Sequence, residues 1–286
     1  MYSCSESRGG RPEIMIMTHA VIFDLDDTVL RDDLSISDYT KDVFRRLCSS
    51  GVAIIPASGR TRMSMKPFVD QIGCACLIIS CNGAEIWDAS GQGDNPLFRE
   101  YLSVDICREI AEFGNRYSCY AQTYSDDRFF FNEHSEYSQR YEAASMLPGE
   151  YVGNLAEFIR EPRCKILMMA DERKIAQMLE AAKKEFENRV SVTCSKSYFL
   201  EFNPLQATKG NALKKVSSML GVPANRFIAF GDSLNDASML QAAGVSVAVS
   251  NARREILEMC GEHCLSNNED GVAHYLDSLF FERRFE

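Results

Sequence analysis

The chain has 286 residues, 45% hydrophobic and 25% charged, with a formal net charge of −10, a balance ordinary for one large or two modest globular domains. Its acidity excludes a general binder of nucleic acid or of anionic membranes, which needs a basic surface, and no apolar run approaches the ~18 residues of a membrane span. The eleven Cys are odd in number and lack paired CxxC spacing, which argues against structural zinc and a full disulfide framework and for free thiols in a reducing cytoplasm.

The polar stretch Met1–Arg11 runs on without a small-residue cleavage site, so residues 1–13 read as a disordered extension or an over-called start rather than a signal peptide. Ala20 to Phe23 is an apolar run that reads as a buried parallel strand. It ends in Asp24, Asp26 and Asp27, three carboxylates within four positions. In open α/β sheets ligands bind just beyond the carboxyl ends of strands. Two carboxylates ~4 Å apart repel by about 4 kcal/mol at an effective dielectric near 20. A cation relieves that repulsion, and hard oxygen donors without His or Cys favour Mg²⁺. The other reading is a strand end that begins a turn, where Asp is common.

Farther along, Ser37 to Cys48 carries apolar residues at helical spacing, with Ser37 as N-cap and Gly51 just past its end. Val52 to Ala57 reads as a second buried strand, followed by Ser58-Gly59-Arg60. A strand–helix–strand unit is right-handed and parallel, so Ser58 is expected at the same sheet edge as Asp24. A helix from Met63 to Ile72 leads to a third strand, Cys76 to Ser80, and an Asn82-Gly83 turn signal. From Glu85 the texture changes. A hairpin around Ser90-Gly91-Gln92-Gly93, helices at Val104–Tyr117 and Glu172–Phe186, and short strands at Tyr120–Thr123, Arg128–Asn132, Lys165–Ala170 and Val190–Cys194 predict a small α+β domain with an antiparallel sheet. The βα rhythm returns after Phe199. Thr208-Lys209-Gly210 opens a helix to Leu220; Phe227–Phe230 is a strand ending in Gly231-Asp232-Ser233-Leu234-Asn235-Asp236; Val245–Val249 is a strand ending in Ser250-Asn251-Ala252; and Gly271–Leu279 is a helix. The expected class is α/β, with residues 14–84 and 200–286 forming the parallel-sheet core and 85–199 an inserted α+β domain.

Polar residues thus follow three buried strands, with a Lys-Gly at a helix start between the second and third. In this pattern the chain resembles the haloacid dehalogenase superfamily, specifically its Cof-like phosphatase branch with a type IIB cap. The resemblance rests on Asp24-Leu-Asp26-Asp27-Thr28, Ser58 in Ala-Ser-Gly-Arg, Lys209 in Thr-Lys-Gly, and Gly231-Asp232-Ser-Leu-Asn235-Asp236. Asn82-Gly83-Ala84, Ser250-Asn251-Ala252 and Glu269-Asp270-Gly271-Val272 add to it. Thr208, where that branch often has Ser, and Ser250, where Gly is commoner, depart from it without touching a group that does chemistry.

The resemblance implies a Rossmann-like core with a cap. It makes Asp24 the nucleophile that forms an aspartyl-phosphate and Asp26 the general acid and then base. It implies Mg²⁺ at Asp24, the backbone carbonyl of Asp26, and Asp232. Asp236 would support that shell or Lys209, while Thr28, Ser58, Gly59, Lys209 and Asn235 would serve the phosphoryl group. Arg60, Asn82, Glu85 and Asn203 are candidates for reading the substrate, as are Arg128, Arg163 and Lys165 in the cap. The expected activity is Mg²⁺-dependent hydrolysis of small phosphorylated metabolites, such as sugar phosphates, flavin mononucleotide or pyridoxal phosphate, by a monomer or small homo-oligomer. A phosphohexose mutase and a non-catalytic phosphate-ligand sensor are the alternatives; the Asp24/Asp26 pair weighs against the sensor.

Overall fold

Continuous apolar runs make the strands that carry the polar loops. In the computed structural model, which describes residues 19–91, 95–125, 127–194 and 196–281, the strands are β1 (Ala20–Phe23), β2 (Ala53–Pro56), β3 (Leu77–Ser80), β4 (Glu85–Asp88), β5 (Phe98–Arg99), β6 (Tyr120–Tyr124), β7 (Phe129–Phe131), β8 (Gly149–Tyr151), β9 (Ile166–Met169), β10 (Val190–Thr193), β11 (Phe199–Pro204), β12 (Phe227–Gly231), β13 (Val245–Val249) and β14 (Glu262–Cys264). The expected extension at 1–13 and part of the expected Ser90–Gly93 turn lie outside the described residues.

The chain divides into two compact units. The first takes the residues through Pro56, Val69–Cys76 and those from Leu213 onward. Its sheet has the order β14-β13-β12-β1-β2 and is parallel throughout. β1 is buried along its whole length between β12 and β2, which explains why its sequence is an unbroken apolar run rather than an alternating one. The helix Asp38–Ser49 covers it, with Phe44 stacked on Phe23 at 4.8 Å between ring centroids. Ser37 caps that helix by accepting the Thr40 N–H at 3.0 Å, as its position predicts.

The second unit takes Ala57–Phe68 and Leu77–Ala212. It therefore extends beyond the expected 85–199 at both ends, and the pairing explains why. β3 pairs antiparallel with β4, and β4 with β5, while Ala57 bridges to Ile79. β11, expected to begin the returning βα rhythm, instead pairs antiparallel with β10 and β9 in a sheet of order β10-β11-β9-β6-β7-β8. One face of this sheet buries Ile166, Met168, Leu200 and Phe202 against Cys107, Ile110 and Phe113 of the helix Val104–Arg116 and Ile175 and Met178 of the helix Glu172–Glu185. The alternate residues Tyr120, Tyr124, Leu167 and Met169 form a separate core with Phe129, Phe131 and Leu147, as the two-residue period of a strand requires.

Candidate active site

In the first unit, register places the acids. Phe23 pairs with Phe230, so Asp24 emerges beside Gly231-Asp232. The Asp24 N–H donates to the Phe230 carbonyl at 3.1 Å, keeping Asp24 on the ladder for one residue past the strand. Asp24, Asp232 and Asp236 each bring a carboxylate oxygen within 4.8 Å of the others. Asp24 and Asp236 are buried. Asp26, half-buried two residues further along, does not contribute a carboxylate to that group.

Hydrogen bonds fix these acids. The Thr28 hydroxyl donates to Asp232 Oδ1 at 3.0 Å. Asp236 Oδ2 accepts the backbone N–H groups of Asp232 and Ser233, both at 3.1 Å, so it braces the loop that carries Asp232. Gly231 is required for this packing: a Cβ there would lie 2.6 Å from that of Asp236. Asn235 Oδ1 accepts from the Ser233 hydroxyl at 2.6 Å. Asn251, in the loop after β13, donates to the Asp27 carbonyl at 2.7 Å.

The other expected site residues fall in the second unit. Ser58 is buried and bonded at three atoms: its N–H donates to Ile79, its carbonyl accepts from Asn82, and its hydroxyl oxygen accepts the Arg60 N–H at 3.2 Å. The Asn82-Gly83 signal becomes a short 3₁₀ turn in which Cys81 and Asn82 take left-handed φ of 49° and 57°, a region Asn tolerates better than most residues. Gly59 lies against Asn82, where an added Cβ would be 3.1 Å from Oδ1. Gly83, at φ +100°, has no room for a side chain because the Thr208 carbonyl oxygen would be 2.4 Å from its Cβ. Lys209 opens the helix Lys209–Leu220 and is fully buried.

Arg60 Nη1 donates to Ser64 Oγ and to the Ala144 carbonyl, each at 3.1 Å. Glu85 is buried and accepts from Tyr101 OH at 2.5 Å, Ser80 Oγ at 2.6 Å and Trp87 Nε1 at 2.8 Å. Burial first, then the Glu85 charge, pushes the Tyr101 phenol well above its usual range. Asn203 is buried with Oδ1 lacking a hydrogen-bond partner. Arg128 pairs with Asp127 and Glu150 at the surface. Arg163 is buried, donating to the Tyr124 carbonyl at 3.3 Å and pairing with Glu161 at 3.0 Å.

Sequence reasoning missed Glu201. Its buried carboxylate lies 3.6 Å from the Lys165 ammonium. The signal was present: Glu201 and Asn203 interrupt the apolar run Phe-Leu-Glu-Phe-Asn-Pro at a spacing of two, placing both on one strand face. Cys81, Glu85 and Cys164 also converge, with donor atoms within 4.8 Å of one another. Hydrogen bonding with Cys164 and then burial push the Cys81 thiol well above its usual range. The cysteines among the described residues are free thiols, and no helix among those residues is long and apolar enough to cross a membrane.

The sequence profile of the haloacid dehalogenase-like hydrolases matches residues 21–276. A putative phosphatase of Haemophilus influenzae is 29% identical over 274 residues, covering 93% of this chain and all of the relative. The 5-amino-6-(5-phospho-D-ribitylamino)uracil phosphatase YcsE of Bacillus subtilis is 29% identical, with 88% and 92% coverage. The HMP-PP phosphatase of Serratia proteamaculans is 27% identical, with 91% and 94% coverage. Among solved structures, a haloacid dehalogenase-like hydrolase from Bacteroides thetaiotaomicron aligns with a TM-score of 0.85 at 23% identity, covering 92% of this chain and 100% of that one, a likeness of fold.

Proposed function

We propose that this chain, which belongs to the haloacid dehalogenase-like hydrolases, is a phosphatase that hydrolyses small phosphorylated metabolites through an aspartyl-phosphate on Asp24. The observation that carries this reading is the convergence of Asp24, Asp232 and Asp236 within 4.8 Å beyond the carboxyl ends of β1 and β12. The donor set is all oxygen, in keeping with a hard divalent cation. Asp24 and Asp232, with the Asp26 carbonyl, would hold Mg²⁺, which when bound supplies positive charge against the phosphoryl oxygens.

In the first step a carboxylate oxygen of Asp24 attacks phosphorus. The ester P–O bond breaks as Asp26 protonates the departing alkoxide. In the second, Asp26 takes a proton from water as its oxygen attacks the phosphorus of the acyl phosphate. Inorganic phosphate leaves and the Asp24 carboxylate is restored. A carboxyl that gives a proton in one step and recovers one in the next closes the cycle, and such acid–base catalysis contributes ~10²–10⁴-fold. Thr28 holds Asp232 in place, Asp236 holds the loop, and by the family resemblance Ser58 and Lys209 supply a hydroxyl and an ammonium to phosphoryl oxygens.

The names of the relatives support a substrate class of small phosphorylated metabolites that includes a phosphorylated ribitylamino-uracil and HMP-PP. The test is a panel of such esters assayed for inorganic phosphate, with and without chelator. We expect Mg²⁺-dependent release from a subset of the panel. Release equal in wild type and Asp24→Asn, or unaffected by EDTA, would defeat the reading. Isomer formation after adding a bisphosphorylated sugar, without free phosphate, would indicate a mutase instead.

A further inference from the structure

Lys165 presents a problem in energetics. It immediately precedes β9 and is almost fully buried, and removing an ammonium from water costs several kcal/mol after relaxation. Burial alone lowers its pKa, yet Glu201, 3.6 Å away, together with Tyr141 and the neighbouring thiols, brings it above the usual lysine range. The ammonium is therefore charged at neutral pH. It lies over the Tyr124 ring, 4.9 Å from the centroid. Apolar residues of similar volume in place of both Lys165 and Glu201 would fill this space without that cost.

The ammonium points at one peptide bond. Lys165 Nζ donates to the Gly59 carbonyl at 2.9 Å. The N–H of the same peptide belongs to Arg60 and donates to Ser58 Oγ at 3.2 Å. The chain of groups is then Lys165 Nζ–H to Gly59 C=O, and Arg60 N–H to Ser58 Oγ. A hydrogen bond at the oxygen of an amide polarises it and strengthens donation from its nitrogen, by ~10–30% per bond in condensed-phase estimates. An oxygen that accepts from Arg60 has both its rotamer and its polarity set. It keeps its own proton to donate.

We infer that Lys165, held by Glu201, is a positioning residue that acts through the Gly59–Arg60 peptide to fix Ser58 Oγ as a hydrogen-bond donor to the substrate's phosphoryl group. The inference rests on the phosphatase reading for its consequence and on the geometry of the second unit for the clamp itself. It assigns a function to a charge that otherwise only weakens the core. It also explains why Glu201 and Lys165 lie together: the carboxylate keeps the lysine ionised, and the lysine aims the peptide.

Two measurements test it. The first is a double-mutant cycle in kcat/KM on an ester hydrolysed by the wild type, using Lys165→Met, Ser58→Ala and the pair, with Lys165→Arg as the conservative variant. Removing a donor to developing charge costs ~10²–10³-fold; in Lys165→Met the donor remains and only its placement loosens, so a loss of about tenfold is expected. Lys165→Arg should recover most of it. In the Ser58→Ala background Lys165→Met should cost less than about twofold, because the hydroxyl it acts through is gone. A full tenfold loss in both backgrounds would mean a general structural role and overturn the inference, as would wild-type kcat/KM in Lys165→Met. The second is hydrogen exchange, which needs no turnover. Lys165→Met should speed exchange of the Arg60 amide more than that of the β9 amides, whose rates report the general loss of stability from the unpaired Glu201, and an Arg60 rate that changes no more than theirs would overturn the clamp. A wild-type enzyme that releases no phosphate, with the exchange result intact, would count against the phosphatase reading and leave the clamp standing.

Discussion

Gly231→Ala places one methyl group where the candidate metal loop has no space for it. The new Cβ would lie 2.6 Å from Asp236 Cβ, 2.8 Å from Cγ and 2.9 Å from Oδ2. Carbon atoms rest at roughly 3.5–4.0 Å, so Asp236 must retreat by about 1 Å. Its Oδ2 now accepts two backbone N–H groups at 3.1 Å each. A retreat of that size carries both beyond the ~3.2 Å range of ordinary N–H···O bonds. Asp236 is fully buried, so water cannot replace it as acceptor. Hydrogen bonds to charged groups are worth about 1.5–3 kcal/mol each and overpacking costs about 1–3 kcal/mol. Allowing for relaxation of the loop, we expect a net destabilisation of about 3 kcal/mol by denaturant unfolding. The Mg²⁺ concentration that gives half of the metal-induced rise in melting temperature should increase about tenfold, equivalent to ~1.4 kcal/mol. Wild-type stability together with wild-type Mg²⁺ dependence would refute the reasoning, because it would mean that the Asp236 brace is not needed to shape the loop.

Asp24→Asn is expected to abolish phosphate release while circular dichroism shows the fold retained; measurable turnover would remove Asp24 as nucleophile. Glu201→Gln leaves the buried Lys165 ammonium without its carboxylate at 3.6 Å, and breaking a buried pair in this way costs about 3–5 kcal/mol. A loss under about 1 kcal/mol in denaturant unfolding would show that the pair is not what keeps the lysine in the core. Burial pushes the Cys107 thiol up to about 12 and that of Cys119 up to about 11, from 9.0. The folded chain holds these protons after the unfolded chain has lost them, so their contribution is full below pH 9.0 and falls as pH rises toward 11. Under reducing conditions stability should drop between pH 9.0 and a pH of about 11 by at most ~1.4 kcal/mol per pH unit for each thiol. Replacing both by Ala should flatten the slope, and an unaltered slope would exclude these thiols as its source.

The parallel sheet was legible because its strands are buried on both faces, so Ala20–Phe23 and Phe227–Phe230 stand out as apolar runs and the acids after them are conspicuous. The helix after Ser37 was legible from its cap. The edge of the second unit was not. β11 contains Glu201 and Asn203 and ends in Pro204, which breaks the apolar pattern, and only pairing with the distant β9 and β10 makes it a strand. The helix Glu136–Ser145 was missed for a related reason. Its sequence, EYSQRYEAAS, carries a weak apolar face, and what it packs against the core is chiefly the two tyrosines Tyr137 and Tyr141. Asn82 was expected to sit in an ordinary turn after a third parallel strand. Instead two successive left-handed residues redirect the chain into β4, a reversal that an Asn-Gly pair marks without specifying its geometry. The sequence offers Lys165 as a candidate for reading the substrate, and its contact with the Gly59 carbonyl is not legible there because that group lies 106 residues away in sequence.

The crowding of Asp24, Asp26 and Asp27 takes a different form once the chain is folded. Asp27 is exposed at φ 57°, a left-handed position that Asp accepts more readily than most residues. Its carbonyl accepts from Asn251, and the Leu25 carbonyl accepts from Val29 and Leu30 at 3.1 and 2.8 Å. Asp27 is thus the bend of a tight turn that delivers Thr28 to Asp232, and water screens its charge. The severe repulsion lies among acids distant in sequence: Asp24, Asp232 and Asp236, whose oxygens are within 4.8 Å of one another. At an effective dielectric near 20 each pair repels by roughly 3.5 kcal/mol or more, and two of the three are buried. The two N–H donors to Asp236 and the Thr28 hydroxyl on Asp232 offset part of that. Neutral donors fix directions well but carry no net charge to oppose three carboxylates, so the arrangement is most stable with a cation among them. Under the proposed mechanism, a cation held there would place positive charge where Asp24 attacks the phosphoryl group.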